Sequence, residues 1–502
     1  MDVLLAGLAQ AANPFAVAMI AAGLLIGITV GAVPGLNVPL AVAIALPITF
    51  NLSPIAGLAM LVGIYKGGTY GGSLSAILIN VPGTPAAAAT VIDGAALTRQ
   101  GKAGKALKMS LYASIIGEFA SDLALIAFAV PMSLFALRIG PPESFSLGIF
   151  ALTLVGVLSQ GNMIKGLMAA ALGLFLSTFG TDPLTGDFRL TFGIAQLDGG
   201  WAFIALVIGI FAVAEALTVV EDRLTQLQHS GRVKLSDPEH SLSREDWRRC
   251  LPVIARASPI GVLVGAIPGL GAAVSAYVNY GIARSFSRDP ESFGKGALEG
   301  VAAAESGNNA VTSATFVPLL TLGVPGDVIT AIMLGAFIVH GLVPGPALFE
   351  RHGDFVAALF AMMLLATALH LIIARAGMPA FIQTTRIPNP ILFPVVLALS
   401  VTGVFVTTNS IFDVYVMLGF GVLGYGMKKF GFPVAPLLIG FILGHLVEIG
   451  FRQAIILSRG SLAIFIARPI SATFLLLALV TAAIVAWREM GAAFKRTGRN
   501  SC

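Results

Sequence analysis

Apolar residues run along this chain in blocks long enough to cross a bilayer. The clearest lie at 15–33, 109–137, 144–159, 163–180, 201–220, 354–376, 390–407, 411–427, 433–450 and 470–487. A spanning helix needs about 20 mostly apolar residues, so blocks of this kind predict transmembrane helices. Two further stretches, 34–98 and 251–349, are as apolar but are cut into short pieces by Gly, Pro and small polar residues. These predict irregular backbone at membrane depth, tolerated there only where neighbours satisfy the freed backbone groups. A single long polar run, 221–256, divides the chain. The expected fold is an all-α polytopic membrane protein with about 10–14 transmembrane or re-entrant helical segments. Its first half covers 1–220, a polar linker 221–256, a second half 257–460, and a C-terminal helix with a basic tail 461–502.

Composition agrees. Hydrophobic residues make up 57% of the 502 and charged residues only 11%, against roughly 25% charged in soluble domains. The net charge of +5 has no basic stripe interleaved with aromatics, so it reads as membrane orientation and not as nucleic-acid binding. No Lys or Arg occurs in the first 65 residues, whereas basic residues gather at Arg99–Lys108, Arg248–Arg256, Lys428–Lys429 and Arg488–Arg499. The positive-inside rule then places the linker and the C-terminal tail in the cytoplasm and the N-terminus outside. The N-terminus lacks the basic n-region of a cleavable signal peptide, so its first helix is expected to be retained. Cys250 and Cys502 form neither a disulfide framework nor a metal-ligand pattern, and no metal site is expected.

The chain contains an internal repeat. GITVGAVPGL at 27–36 returns as GVLVGAIPGL at 261–270, so Pro34-Gly35 matches Pro268-Gly269. Downstream, Val81-Pro82-Gly83 matches Val324-Pro325-Gly326, and each is followed by a Gly-Ala pair. A lone Pro-Gly reads as a plain kink; two in the same order in both halves read as designed helix breaks. One copy follows a segment without basic residues and the other follows the basic linker, which implies copies of inverted topology, as in many secondary transporters. A broken helix frees N–H groups that can hold a carboxylate and carbonyls that can hold a cation.

Polar residues collect beside these breaks. Asn37 follows the first. Tyr65–Ser75 is a Gly-rich stretch carrying Lys66 and Ser73, and Thr84 follows the next break. Read functionally, Asn37, Ser73 and Thr84 cradle carboxylate oxygens with Lys66 as counter-charge; read structurally, this is a turn with a snorkelling lysine. In the second half Asn308 and Asn309 offer amide groups to either ion, and Glu305 and Asp327 are candidate sodium or proton ligands. The competing reading there is a helix N-terminus capped by Ser306 or Asn308. Glu118 and Asp122 share a helix face inside an apolar block, and Glu215, Asp413, His445 and Glu448 are further ionisable residues in apolar surroundings, all functional candidates on that ground. No HExxH, Walker loop or nucleophile–base pattern occurs, so no enzymatic activity is expected.

As a set, VGAVPGLN near residue 30, YGGSLSAILINVPGTPAAAATVIDG at 70–94, ESGNNA at 305–310 and LGVPGD at 322–327 resemble the large membrane subunit of tripartite tricarboxylate transporters. The resemblance implies a permease of the bacterial inner membrane for small organic carboxylates. It also implies a small integral membrane partner of about four helices and a periplasmic solute-binding protein that delivers substrate. A sodium or proton gradient would supply the energy, with no tightly bound cofactor. An ion or solute channel, and a membrane-embedded enzyme, are the alternatives. A reporter fused at residue 235 is expected to report a cytoplasmic location; periplasmic activity would overturn the orientation.

Overall fold

The chain is almost wholly helical in the computed structural model, which describes residues 2–33, 36–158, 163–221, 241–384 and 389–483. Pro34 and Gly35, most of the central linker, and the basic tail from residue 484 lie outside the described residues. The first half runs α1 (Asp2–Ala11), α2 (Pro14–Ala32), α3 (Val38–Thr49), α4 (Pro54–Ile79), α5 (Ala87–Arg99), α6 (Ala103–Ala136), α7 (Pro141–Leu158) and α8 (Met163–Leu176). After a two-stranded hairpin, α9 (Phe203–Ile208) passes through a π-helical turn into α10 (Ala214–Glu221). The second half runs α11 (Arg244–Ala266), α12 (Gly271–Ser285), α13 (Leu298–Asn309), α14 (Phe316–Leu322), α15 (Val328–Val339), α16 (Pro346–Arg351) and α17 (Gly353–Thr384). It closes with α18 (Asn389–Thr408), α19 (Ile411–Lys429) and α20 (Val434–Leu457). Six of the described helices are long and apolar enough to cross a membrane, and several shorter apolar ones accompany them. This is an all-α polytopic membrane protein.

Local sequence sets the helix starts. Asn13, Asn37 and Ser53 each accept a backbone N–H at the head of α2, α3 and α4, with Pro in the first turn of each. Ser243 and Asp246 form a capping box on α11, and Asp327 and Thr330 form one on α15.

The Gly-rich stretch Tyr65–Ser75 forms no loop. It lies inside the continuous, almost fully buried helix α4. In a dry interior the backbone must satisfy itself, and a helix does that locally. The glycines serve packing instead. A methyl group on Gly23, Gly27 or Gly31 of α2 would collide with the carbonyl oxygen of Met60, Ile64 or Gly68 of α4, while Gly63, Gly67 and Gly71 stand equally close to α2. Small residues spaced four apart bring the two backbones together.

The second half repeats this contact. Gly261 of α11 meets Gly307, and Gly265 meets Val311, the positions that Ile64 and Gly68 occupy in the first half. α4 ends at Asn80 and α14 at Gly323, both in the left-handed conformation (φ 60° and 69°) and both followed by Val-Pro-Gly. Gly83 N–H then donates to the Gly72 carbonyl at 3.1 Å, and Gly83 lies against the backbone of Gly31. In the other half Gly269 N–H donates to the Gly326 carbonyl at 2.8 Å. In the second half the two breaks therefore face each other, and in the first the Pro82-Gly83 break packs on the end of α2. One difference matters: the counterpart of α4 is not continuous, because a turn over 310–315 separates α13 from α14.

On the side of the hairpin, β1 (Gly180–Thr181) pairs antiparallel with β2 (Phe188–Arg189). Arg189 reaches Glu448 at 2.5 Å and Arg452 reaches Asp182 at 2.6 Å, fastening the hairpin to α20. The Thr185 N–H, the Arg452 guanidinium and the Leu184 N–H hold the Asp182 carboxyl well below the usual carboxylate range. Its contribution to this clamp is thus present above the ordinary carboxylate pKa of about 4 and is lost only in stronger acid.

Gly27→Val is expected to destabilise the protein by about 1–3 kcal/mol or more through overpacking of α2 on α4. Gly426→Ala, whose Cβ would meet nothing within 4 Å, is expected to leave the thermal midpoint in detergent close to wild type. Equal midpoints for the two variants would refute the packing account.

Candidate functional site

α6 carries the polar face on which the site is built. Ser110, Ser114, Glu118, Ser121 and Asp122 are completely buried, whereas Phe119, Leu123 and Phe128 on its other side are about half exposed. The helix is polar inward and apolar outward, as a lipid-facing helix over a polar interior must be. α4, α13 and α17 close over the polar face and divide it into three centres.

In the first centre Lys66 Nζ lies 2.6 Å from Asp122 Oδ1 and donates to Thr367 Oγ1 at 2.7 Å. Thr367 donates to Asp122 Oδ2 at 2.6 Å, and Ser313 donates to Oδ1 at 2.5 Å. Lys66 is 1% exposed. It neither snorkels nor stands free as a counter-charge for substrate; its charge is committed to Asp122. In the second centre the Glu305 carboxylate of α13 accepts from Ser73 at 2.6 Å, from Ser114 at 3.1 Å and from Thr90. Asn309 Nδ2 donates to Ser114 at 2.8 Å and back to the Glu305 carbonyl at 2.9 Å. In the third, Glu118 faces His370 of α17.

Asp327 stands apart from this face as the cap of α15, where Tyr65 donates to its Oδ2 at 2.6 Å. Among the described residues no cationic side chain pairs with Glu305 or Asp327. Both are carboxylates dressed only by hydroxyl and N–H donors. Asn308 of α13 is fully buried, yet neither its Oδ1 nor its Nδ2 has a hydrogen-bond partner among the described residues, and Asn309 Oδ1 has none. A buried polar atom left so costs about 1–3 kcal/mol, so this position is not explained by packing alone.

The structure gathers some of the sequence-predicted residues and separates others. Ser73, Glu305 and Asn309 share one hydrogen-bonded cluster, with Asn308 adjacent on the same helix. Thr84 packs on Gly72, next to Ser73, and accepts the Ala87 N–H at 3.2 Å at the entry to α5. Gly83, Gly269 and Gly326, and hence the Pro82, Pro268 and Pro325 breaks, lie at the junctions described above. Asn37 is half-buried and spends its side chain capping α3 through the Leu40 N–H at 2.9 Å. Ser306 and Asn308 cap nothing, since both lie inside α13. Sequence reasoning missed Thr90, Ser114, Thr367 and His370. Of these, His370 alone left a signal, as a single ionisable residue within a long apolar block.

A cavity of about 860 Å³ opens between the hairpin, α7, α15 and α20, and is lined by Arg189, Trp201, His445 and Gln453. It reaches Leu322 and Gly323, just before the second-half break, but no residue of the three α6 centres lines it.

A profile of the "Tripartite tricarboxylate transporter TctA family" matches residues 17–439, a region that holds both repeats and all three centres. The chain belongs to that family. The sequence motifs that suggested this membership lie within the matched region. A relative from Agrobacterium vitis, described as an uncharacterized 52.8 kDa protein in the TAR-I ttuC' 3'region, is 36% identical over 478 residues, covering 95% of this chain and 94% of its own length. Another from the same organism, an uncharacterized protein in the TAR-II ttuC' 3'region, is 38% identical over 220 residues, or 44% of this chain. No solved structure matches. The TctA-family chain is thus a multi-pass membrane transporter subunit.

Because Lys66 and Asp122 are buried together, removal of one leaves the other uncompensated. Lys66→Met is expected to destabilise by roughly 3–5 kcal/mol, and Lys66→Met combined with Asp122→Leu to recover a large part of that loss. Thermal midpoints in detergent check this; a double variant no more stable than the single would disprove the pairing.

Proposed function

We propose that this chain is the large transmembrane subunit of a binding-protein-dependent secondary transporter that imports small organic carboxylates by ion-coupled alternating access. The observation that carries the reading is the Glu305 centre. A buried carboxylate that has no cationic partner among the described residues sits beside two amides whose bonding capacity those residues leave unfilled, next to the junctions of the broken helices. Asn308, Asn309, Ser73 and Thr84 supply donors for the substrate carboxylate, while Lys66 neutralises Asp122 and Asn37 caps α3. An anion cannot share a dry site with ionised Glu305 unless a cation enters too. Coupling follows from that electrostatic requirement. Sodium or a proton at Glu305, and at Asp327, removes the negative charge and admits the substrate.

Membership of the TctA family supports the wider assembly: a small integral membrane subunit of about four helices, a periplasmic binding protein that captures substrate, and residence in the bacterial inner membrane. The two halves, 1–220 and 257–460, are read as inverted-topology repeats joined by a cytoplasmic linker over 221–256 and followed by a C-terminal helix and tail over 461–502. The recurrence of paired breaks supports this arrangement, as such repeats rock around a midplane site. The reading assigns no catalytic step and no tightly bound cofactor. A channel with the same broken helices would conduct without saturation or ion coupling.

Uptake of radiolabelled citrate and a dicarboxylate panel into proteoliposomes tests the proposal, with the small subunit present, binding protein outside and an imposed ion gradient. Saturable uptake that needs the binding protein and one gradient is expected. Ser73→Ala and Asn308→Ala should each lower uptake by roughly ten- to a hundredfold, the effect of removing one hydrogen bond to a charged group. Normal uptake by Asn37, Ser73, Asn308 and Asn309 alanine variants would refute the site; non-saturable, gradient-independent flux would refute the transporter reading.

A further inference from the structure

The face of α6 holds one ionisable pair that substrate binding leaves unused. Glu118 and His370 are both fully buried, with His370 Nδ1 3.0 Å and 3.1 Å from the two carboxylate oxygens. An ionised carboxylate only accepts, so Nδ1 carries a hydrogen when Glu118 is charged. The other ring nitrogen, Nε2, has no hydrogen-bond partner among the described residues. The imidazole edge meets the Tyr70 ring at 5.2 Å between centroids, and the Tyr70 hydroxyl is also unpartnered there.

The charges around the pair give it a direction. α4 contributes Lys66 and Tyr70, α6 itself Asp122, and α13 Glu305. α2 and α14 carry no titratable residue. On α5, Asp93 is taken up by the Tyr280 hydroxyl and the N–H groups of Gly294, Gly296 and Ala297. On α11, Asp246 pairs with Lys105, Arg249 with Glu299, and Arg256 stacks on Phe286, while Arg244, Glu245 and Arg248 are exposed. Cys250 of α11 is buried and uncharged as a thiol, and Glu350 and Arg351 of α16 are exposed. The buried face thus holds Glu118, Asp122 and Glu305 against one fixed cation, Lys66. One proton on His370 makes the Glu118–His370 pair neutral overall, whereas without it the pair carries one negative charge. An incoming anionic substrate makes the added proton more favourable.

We propose that the Glu118–His370 pair is a proton-binding site of the transport cycle, taking up one proton at His370 Nε2 as the anionic substrate enters. This rests on the transporter reading above and makes the coupling ion a proton. No bond other than N–H forms or breaks, and the proton comes from the outer solution and leaves to the inner one. Glu118 stands one helical turn from Ser114, which touches Glu305, and one turn from Asp122, which touches Lys66. It therefore lies between the Glu305 centre and the Lys66–Asp122 centre on a single helix face.

Proteoliposomes containing the two membrane subunits, with pyranine trapped inside and binding protein outside, test this with citrate, malate and succinate. Wild type is expected to acidify the lumen as substrate enters and to accumulate it under an inside-alkaline gradient. His370→Gln and Glu118→Gln should lose the acidification, and their gradient-driven accumulation should fall about tenfold further than their exchange of substrate between equilibrated compartments. Accumulation driven by sodium alone without acidification, or variants that keep proton entry, would overturn the proposal while leaving the transporter reading intact. A wild type that neither exchanges nor accumulates any of the three acids would overturn both. Should the variants fail to fold, substrate added to the wild-type complex in weakly buffered detergent is expected to draw in about one proton per molecule bound; no uptake there is equally decisive against it.

Discussion

A charge removed from water has to find its partner within the protein, and the interior of this chain is arranged around that demand. α6 brings two carboxylates and three hydroxyls into a region that lipid surrounds. Bare, such a face would be prohibitively costly in hydrocarbon. It is stable because α4 brings Lys66, α17 brings Thr367 and His370, and the α13–α14 region brings Ser313 and Asn309. The partners come from three different segments, α4, α17 and the α13–α14 region, and both halves of the sequence are represented. The polar face thus specifies which helices must meet, a role that apolar contacts in a lipid environment cannot fill.

The glycines make that closure possible. Lys66, Tyr70 and Ser73 can project onto the other helices because the opposite side of α4 lies backbone-to-backbone on α2. The second half reproduces the contact but not its consequence. At the same register where α4 carries Tyr65 and Lys66, α13 carries Asn308 and Asn309 and then ends in a turn. One copy therefore supplies a rigid, charged helix and the other an interrupted one with neutral amides. A duplicated frame has acquired two different chemistries by changing side chains at matched positions.

The degree of hydrogen-bond satisfaction differs across the face. Around Asp122 both carboxylate oxygens have donors, so that centre is closed. At Glu305 the carboxylate is hydrogen-bonded, yet among the described residues Asn308 beside it has no partner on either polar atom and His370 none on Nε2. Idle buried groups are tolerated where a ligand or a proton completes them in another state.

By itself the sequence determined the membrane class, the helical fold, the duplication and the family. All of these rest on properties carried by contiguous residues: apolar runs of spanning length, the recurring Val-Pro-Gly breaks, and motifs such as ESGNNA and LGVPGD. It also marked Glu118 and Asp122 as neighbours on one face, because four-residue spacing is local geometry. Only the tertiary structure decided that the Gly-rich stretch is a packed helix and that Lys66 is neutralised by Asp122. It likewise paired Glu118 with His370 and set Thr90 and Ser114 around Glu305. Those partners lie tens to hundreds of residues apart, and Ser, Thr and Gly occur throughout the chain without distinction. What selects among them is the desolvation of a charge, and a residue becomes desolvated only when distant helices close over it.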